Sequence, residues 1–516
     1  MKAEEYKISS EKFVFRSTGE NLHDKKLETK PVTYFRDALH RFAKNKASIL
    51  AFIIIILLFL FAVIVPIFTP FEVSDTDGYY RYMPPKNQLF RNWGIHFWDG
   101  GEERDDNQAS YDLYRGIAQE TGREVFITEP EEHVTVYMGK ERVRYTYRLD
   151  LYNAIGVVYK EITTEEYKAI QAYQDKYNVQ VIYPITDPAK RPQADQDQMN
   201  ANIWYRTKLG AGRKTQIVYD KQGNFIPIYM PNDGTDEYTS KMYWEGDTKK
   251  YNYAQDMDGE YWRVRVDYQE YYGFYHREIL KDDITEPRFL LGTDDNGKDI
   301  LTCLASGARF SFLLAIAVAV VNLTVGAIYG SIEGYYGGKV DLIMDRIVEL
   351  LTSIPFMIVI TLLKYHFNVS HILILFISFF LTGWTGMAGR TRMQFYRYKN
   401  QEYVLVARTL GARDRRIMFK HIFPNAIGTL ITGSVLVIPS VIFSETSLTY
   451  LGIIDLNTGN LTSVGTLLAK GQNNLLENPH IILFPAIFIS LLMLSFNLFG
   501  NGLRDAFNPS LRGTEE

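Results

Sequence analysis

The 516-residue sequence contains one cysteine, Cys303, which excludes an intrachain disulfide framework and leaves no second thiolate for a cysteine-based metal cluster. No cluster of His, Cys or Met falls in its apolar segments, which argues against direct metal ligation there. Net charge is only −4, without the concentrated basic face that nucleic acid requires, so no nucleic-acid partner is expected. The first 46 residues hold no apolar run, so a cleaved secretory signal is not expected and the first apolar segment reads as an anchor that stays. A complete phosphate-binding loop is missing as well. Residues 292–299, GTDDNGKD, place Asp299 where Ser or Thr would ligate Mg²⁺, and Asp294 and Asp295 would repel phosphate. This chain is therefore expected to bind no nucleotide and to catalyse nothing by itself.

What is present is two kinds of sequence, which average to a mean hydropathy of −0.15. Long apolar runs occupy residues 47–68, 310–332, 369–389, 425–444 and 479–503, each close to the roughly 20 residues that a helix needs to cross the hydrocarbon. A sixth, weaker candidate at 347–363 carries Glu349 near its start and Pro355 in its middle; an acid at the bilayer centre costs roughly 3 kcal/mol on insertion scales. Arg346 and Glu349, one turn apart, read as a pair at the membrane interface. Pro355, Pro439 and Pro485 sit mid-span, where they can bend helices that line a cavity.

Charge sets the expected orientation. Arg36, Arg41, Lys44 and Lys46 precede the first span. The loop at 390–424 holds nine Lys and Arg residues between 390 and 420 against only Glu402 and Asp414. With six spans both regions fall on one side, which the positive-inside rule makes cytoplasmic, together with both termini (1–46 and 504–516). Residues 69–308 are then extracellular, and acids outnumber bases there, 41 to 29 over 71–308. The expectation is a multi-pass protein of the cell membrane, in contact with lipid.

Within 69–308, an insertion at about 91–286 reads as a folded α+β domain. Residues 134–152 alternate with period two, as a strand does. Residues 163–177 open on Thr and Glu and space Tyr167, Ile170 and Tyr173 at helical intervals, as a capped amphipathic helix. The run from Thr215 reads as a hairpin turning at Gln222 and Gly223. The many tyrosines suit either half-buried strand positions or a sugar- or peptide-contacting surface.

The most informative stretch is EYVLVARTLGARDRRIMFKHIFPNA, residues 402–426. A short helix over 402–410, ended by Gly411, followed by a second helix with Pro beyond it, makes a helix-turn-helix able to lie across a membrane face. Small residues there allow close approach by another protein, and the basic residues favour an acidic groove. This segment resembles the coupling loop of ABC importer permeases, whose last Ala, Gly and Pro fall at Ala407, Gly411 and Pro424. The acid-Ala-Ala start of that loop is only partly kept, since Leu405 and Val406 precede Ala407, and His421 stands where an apolar residue is usual. LGTDDNGKDILTCLASGARFS (291–311), GYYGGKVDLIMDRIVELLTSIP (334–355), ETSLTYLGI (445–453) and NLFGNGLRDAFNPSLR (497–512) resemble further segments of the oligopeptide and dipeptide branch, in its second, C-type permease. Together the likeness covers residues 32–90 and 287–512.

The resemblance implies an α-helical membrane protein of type I ABC importer fold: a first helix at 47–68, then a five-helix core at 309–503, with the inserted α+β domain between them. It implies a second, similar permease, two cytoplasmic ATP-binding subunits that carry ATP and Mg²⁺, an external solute-binding protein, and a peptide as cargo. Ala407, Arg408, Gly411, Ala412 and Pro424 are the implied contacts to the ATPase, and Glu445 a candidate for the path or gate. Importers of nickel chelates, opines or glycosides share such permeases, and a membrane-anchored external sensor is the alternative from another class, for which one span would suffice.

Overall fold

The computed structural model describes residues 34–137, 140–191, 200–211, 215–230, 238–245, 248–257, 261–282, 284–456 and 461–507. A short helix α1 (Tyr34–Lys44) leads into α2 (Lys46–Phe68), whose start is capped by the Asn45 side chain accepting from the Ser48 amide. Chain then enters the inserted region through α3 (Gln88–Asn92), β1 (Gly101–Asn107) and α4 (Gln108–Thr121). It continues through β2 (Glu131–Tyr137), β3 (Lys140–Asp150), β4 (Val157–Thr163), α5 (Thr164–Tyr177) and β5 (Ile182–Tyr183). The strands β6 (Thr207–Leu209), β7 (Thr215–Ile217), β8 (Tyr238–Glu245), β9 (Thr248–Met257) and β10 (Tyr261–Asp267) precede α6 (Tyr268–Phe274).

The remaining elements are helical: α7 (Ile300–Tyr336), α8 (Gly338–Thr352), α9 (Phe356–His366), α10 (His371–Tyr398), α11 (Glu402–Thr409), α12 (Asp414–Arg416), α13 (Phe423–Val435), α14 (Val437–Tyr450), α15 (Val464–Asn473) and α16 (His480–Phe507). Among the described residues five helical runs are long and apolar enough to cross a membrane: α2, α7, α10, Asp414–Tyr450 and α16. The weak segment at 347–363 departs from the expected single span. It is split between α8 and α9, which meet at 71°, so the total reaches six only if that bent pair counts as one. Pro355 explains the break, since it has no amide proton to donate and forces Ile354 out of the helical region. Arg346 and Glu349 do pair on α8, with both side chains about two-thirds exposed.

Close helix approach rests on small residues, which lets backbones meet where lipid offers no hydrophobic drive. Gly326, Gly330 and Gly334 form one ridge of α7, four residues apart, against Met387 to Phe395 of α10; a Cβ at any of the three would lie within 2.8 Å of α10 atoms. The α2–α16 pair is antiparallel: Gly502 packs on Ser48, Phe52 stacks on Phe499 at 5.4 Å, and Phe61 lies 6.0 Å from Phe488.

Pro424 also differs from expectation. It lies inside the continuous run Asp414–Tyr450, not beyond a helix end, and comes two residues after the end of a π-helical turn at Ile417–Ile422. The wider turn, with the Phe423 amide reaching back to the Met418 carbonyl, gives the ring room without ending the helix.

The insertion is α+β, as its pattern implies. Thr163 caps α5 by accepting the Glu166 amide at 3.2 Å, and Tyr167, Ile170 and Tyr173 face the core. The alternating stretch at 134–152 is not one strand but parts of two, β2 and β3, paired antiparallel with Val134 opposite Val143. The run from Thr215 turns at Asp220–Asn224 as expected, yet only a Tyr219–Phe225 bridge flanks that turn, and β7 pairs instead with β6. The largest sheet has the order β4-β10-β9-β8, with β5 on β10. From β10 of this sheet Arg265, fully buried, forks onto Glu120, at 2.6 Å from Nη1 to Oε1, and donates to the Ala201 carbonyl.

The GTDDNGKD loop ties the segment that follows α2 to the start of α7 and to α15. Thr293 donates to the Tyr80 carbonyl at 2.6 Å and accepts the Met83 amide at 2.8 Å. Asp294 pairs with Lys470 of α15 at 2.7 Å, and Lys298 donates to the Val73 carbonyl at 2.6 Å. Gly297 has φ +74°, and a Cβ there would strike the Asp77 carbonyl. This loop is a structural joint between the segment after α2 and the helices α7 and α15.

Candidate functional site

At the end of the molecule opposite the insertion, α11 forms a short platform. Val404 packs inward with Tyr335, Phe395, Ile417, Met418 and Ile422, and Ala407, three residues on, is buried on the same side of the helix. The helix closes in a Schellman turn: the Gly411 amide donates to the Arg408 carbonyl at 3.0 Å and the Ala412 amide to the Ala407 carbonyl at 3.1 Å. Only glycine adopts the required φ of +78° at position 411 without steric cost. Tyr335 donates to Asp414 at 2.6 Å, and Asn425, beside Pro424, donates to the Tyr403 hydroxyl at 3.2 Å, so the platform is tied to both neighbouring helices.

The structure brings the sequence-selected residues together at this turn, but on different sides of it. Arg408 and Gly411 are exposed, Ala412 is half-buried, Ala407 points into the core, and Pro424 is exposed on the adjoining helix. The outward flank instead presents Val406 at 55% exposure and Leu410 at 83%, with Phe419 at 42% nearby. Arg413, Arg415, Arg416 and Lys420, which follow in the chain, are exposed too. Sequence reasoning passed over Val406 and Leu410. Their i, i+4 spacing on the flank away from the 404/407 stripe is the signal that would have found them.

Glu445 lies elsewhere, fully buried on α14 toward the insertion end of the helices. It accepts the Ser311 hydroxyl of α7 at 2.6 Å and shares its surroundings with Thr446, Thr449 and Ser463, of which Ser463 donates to Thr449 at 3.1 Å. Gly465 of α15 packs so tightly on Thr446 and Thr449 that no side chain fits there. The arrangement locks α7, α14 and α15 around one carboxyl group.

A cavity of about 440 Å³ opens at the seam between insertion and helices, walled by Tyr79, Tyr268, Tyr271, Tyr272 and Tyr275. Asp77 accepts the Tyr268 hydroxyl at 2.7 Å, and the Lys160 ammonium stands 4.0 Å above the Tyr271 ring. Burial pushes the Tyr268 hydroxyl well above its ordinary range, with the Asp77 charge adding to it, and lowers Lys160. Among the described residues no group of three or more His, Cys, Asp or Glu side chains is placed to hold a metal ion.

Residues 322–513 match the family described as the binding-protein-dependent transport system inner membrane component, and residues 33–85 match the N-terminal transmembrane domain of oligopeptide transport permease C. The oligopeptide transport system permease protein OppC of Bacillus subtilis is 42% identical over 221 residues, covering 43% of this chain and 72% of that protein. The dipeptide transport system permease protein DppC of the same organism is 38% identical over 222 residues, covering 43% and 68%. A chain of the MetNI methionine ABC transporter superposes with a TM-score of 0.33 at 13% identity, covering 40% of this chain and 96% of that one. The chain is a member of the binding-protein-dependent transport inner membrane family, in its oligopeptide and dipeptide permease branch.

Proposed function

We propose that this chain is one of two permease subunits of a peptide importer, coupled to two ATP-binding subunits and supplied by an external solute-binding protein. The observation that carries the reading is the identity of about two-fifths to the oligopeptide permease over most of that relative's length. The insertion then lies outside the cell, and α11 and both termini lie in the cytoplasm. The exposed ridge of Val406 and Leu410, followed in the chain by exposed arginines, supports docking of an ATPase whose groove is apolar at its floor and acidic at its rim. The ATPase supplies hydrolysis. This chain supplies a rigid lever, because the Schellman turn and the core around Val404 join α11 firmly to α7, α10 and the helix from Asp414. Closure of the ATPases would move that lever as a body and switch the path between its two faces.

Co-purification from native membranes tests the reading, with wild type beside Leu410→Asp. Recovery of a second permease and of ATPases with the wild type, and loss of the ATPases alone with the variant, is the expected result. Wild-type protein that emerges without an ATPase would sink it.

A further inference from the structure

Residues 88–98, QLFRNWGIHFW, sit at the start of the insertion and expose an unusual amount of apolar surface. Trp93 is 71% exposed, Leu89 66%, Ile95 38% and Phe97 37%. The segment is nonetheless held firmly. Arg91 donates to Asp150 at 2.8 Å and Lys86 to the same carboxylate at 3.1 Å; Asp99 takes the Arg148 guanidinium. Trp98 donates its indole N–H to the Leu290 carbonyl at 3.1 Å. A rigid, exposed aromatic cluster of this kind asks for a partner.

Its height along the helices identifies which. The Phe97 and Trp98 rings lie 5.9 and 6.4 Å from Phe484 on α16. The antiparallel register of α16 on α2 sets Phe499 beside Phe52 and Phe488 beside Phe61. Four residues further along that register, Phe484 comes level with Val65, one turn short of the end of α2 at Phe68. The 23 residues of α2 span about 34 Å, close to the roughly 30 Å of a bilayer's hydrocarbon. Phe484 is therefore at the hydrocarbon boundary on the insertion side. The exposed flank of α16 starts beside it at Leu483 and continues below through Ile487, Leu491 and Leu494. Through Phe484, one turn above Ile487, the cluster adjoins that exposed flank.

We infer that residues 88–98 form an interfacial foot, which seats Leu89, Trp93 and Phe97 among the headgroups and upper acyl chains of the adjacent leaflet. Trp and Phe suit that depth, where one end of the side chain is wet and the other apolar. The foot carries the insertion through Asp150 and Asp99, so it holds the domain at a fixed height over the helices. The inference rests on the membrane-spanning fold and not on the cargo.

Nitroxide-labelled Leu89→Cys and Trp93→Cys, in the assembled complex in lipid nanodiscs, report this directly; the native Cys303 is 2% exposed and stays unlabelled. Ile487→Cys serves as the lipid reference and Lys221→Cys as the water reference. Oxygen should collide with labels at 89 and 93 several-fold more than a water-soluble nickel chelate does, as at 487. A ratio like that at 221 overturns the foot, and exclusion of both reagents overturns it in favour of a protein partner. Should the cysteine variants fail to fold, quenching of the wild type's six tryptophans by lipid brominated high on its acyl chains decides the matter. Trp93→Phe should remove a clear part of that quenching, and an unchanged quench overturns the inference.

Discussion

Gly330 of α7 meets α10 so closely that a Cβ at position 330 would lie 2.1 Å from the Ala388 carbonyl oxygen. The neighbouring turns repeat the relationship, with Gly326 against Trp384 and Met387 and Gly334 against Arg392 and Phe395. Because the obstacle is backbone, a larger residue cannot be absorbed by a rotamer change. Gly330→Leu should separate the two helices and cost more than about 3 kcal/mol, the upper range for overpacking. Thermal unfolding in detergent should show the loss, while Gly386→Ala, where a Cβ meets nothing within 4 Å, should be close to neutral.

At the platform of α11, two residues three positions apart differ sharply in exposure. Leu410 is 83% exposed and Ala407 9%. Leu410→Asp should leave the unfolding temperature within experimental scatter and abolish ATPase recovery, because it adds charge only to the ridge proposed to dock the ATPase. Ala407→Asp should do the reverse in origin: it buries a carboxylate without a partner beneath the helix, at a cost of several kcal/mol. If Leu410→Asp kept full ATPase recovery and transport-coupled hydrolysis, the ridge would not be the contact.

How much of this was legible beforehand depends on how local the cause was. The cap of α5 by Thr163, the stripe of Tyr167, Ile170 and Tyr173, and the end of α11 at Gly411 are set by neighbours within a few residues, and the sequence displays them. Pro355 showed as a bend but not as a 71° break, since the angle is fixed by what α8 and α9 pack against. The glycine ridge of α7 is visible as a four-residue spacing only once α10 is known to lie on it. Ala407 and Leu410 differ in a way that motif position cannot reveal: a resemblance marks the turn, whereas burial decides which side of the turn is free.

Arg392 on α10 gathers three carboxylates. Its Nε lies 2.6 Å from Asp341 and 3.4 Å from Glu333, and its Nη1 lies 3.0 Å from Asp345. Asp341 and Asp345 are on α8, so this one guanidinium holds α8 to the α7–α10 pair. Arg392→Ala would strip the buried Glu333, 1% exposed, and the α8 carboxylates of their shared guanidinium, which should cost about 3 kcal/mol or more. Arg392→Lys should recover only part of that, because an ammonium cannot fork across two carboxylates. Proteolysis of the 337–355 segment, faster in Arg392→Ala than in Arg392→Lys, would report the release of α8.

Asp299 offers a pH test on the seam between insertion and helices. It caps α7 by accepting the Thr302 amide at 2.8 Å and the Thr302 hydroxyl at 2.5 Å, and it is 5% exposed. Burial pushes its carboxyl up to about 6 from the ordinary 3.8, against the lowering effect of those hydrogen bonds. Between those two values the folded form keeps a proton that the unfolded chain has released. Stability therefore falls by about 3 kcal/mol in all as pH rises from about 4 to 6, and is level above. Asp299→Asn keeps a side-chain acceptor for the Thr302 amide and has no charge to bury. It should flatten this dependence and make the joint firmer than wild type at pH 7. Hydrogen exchange of the 300–303 amides, corrected for intrinsic rate, should slow in the variant at pH 7 and match wild type near pH 4; equal pH slopes in the two proteins would contradict the assignment.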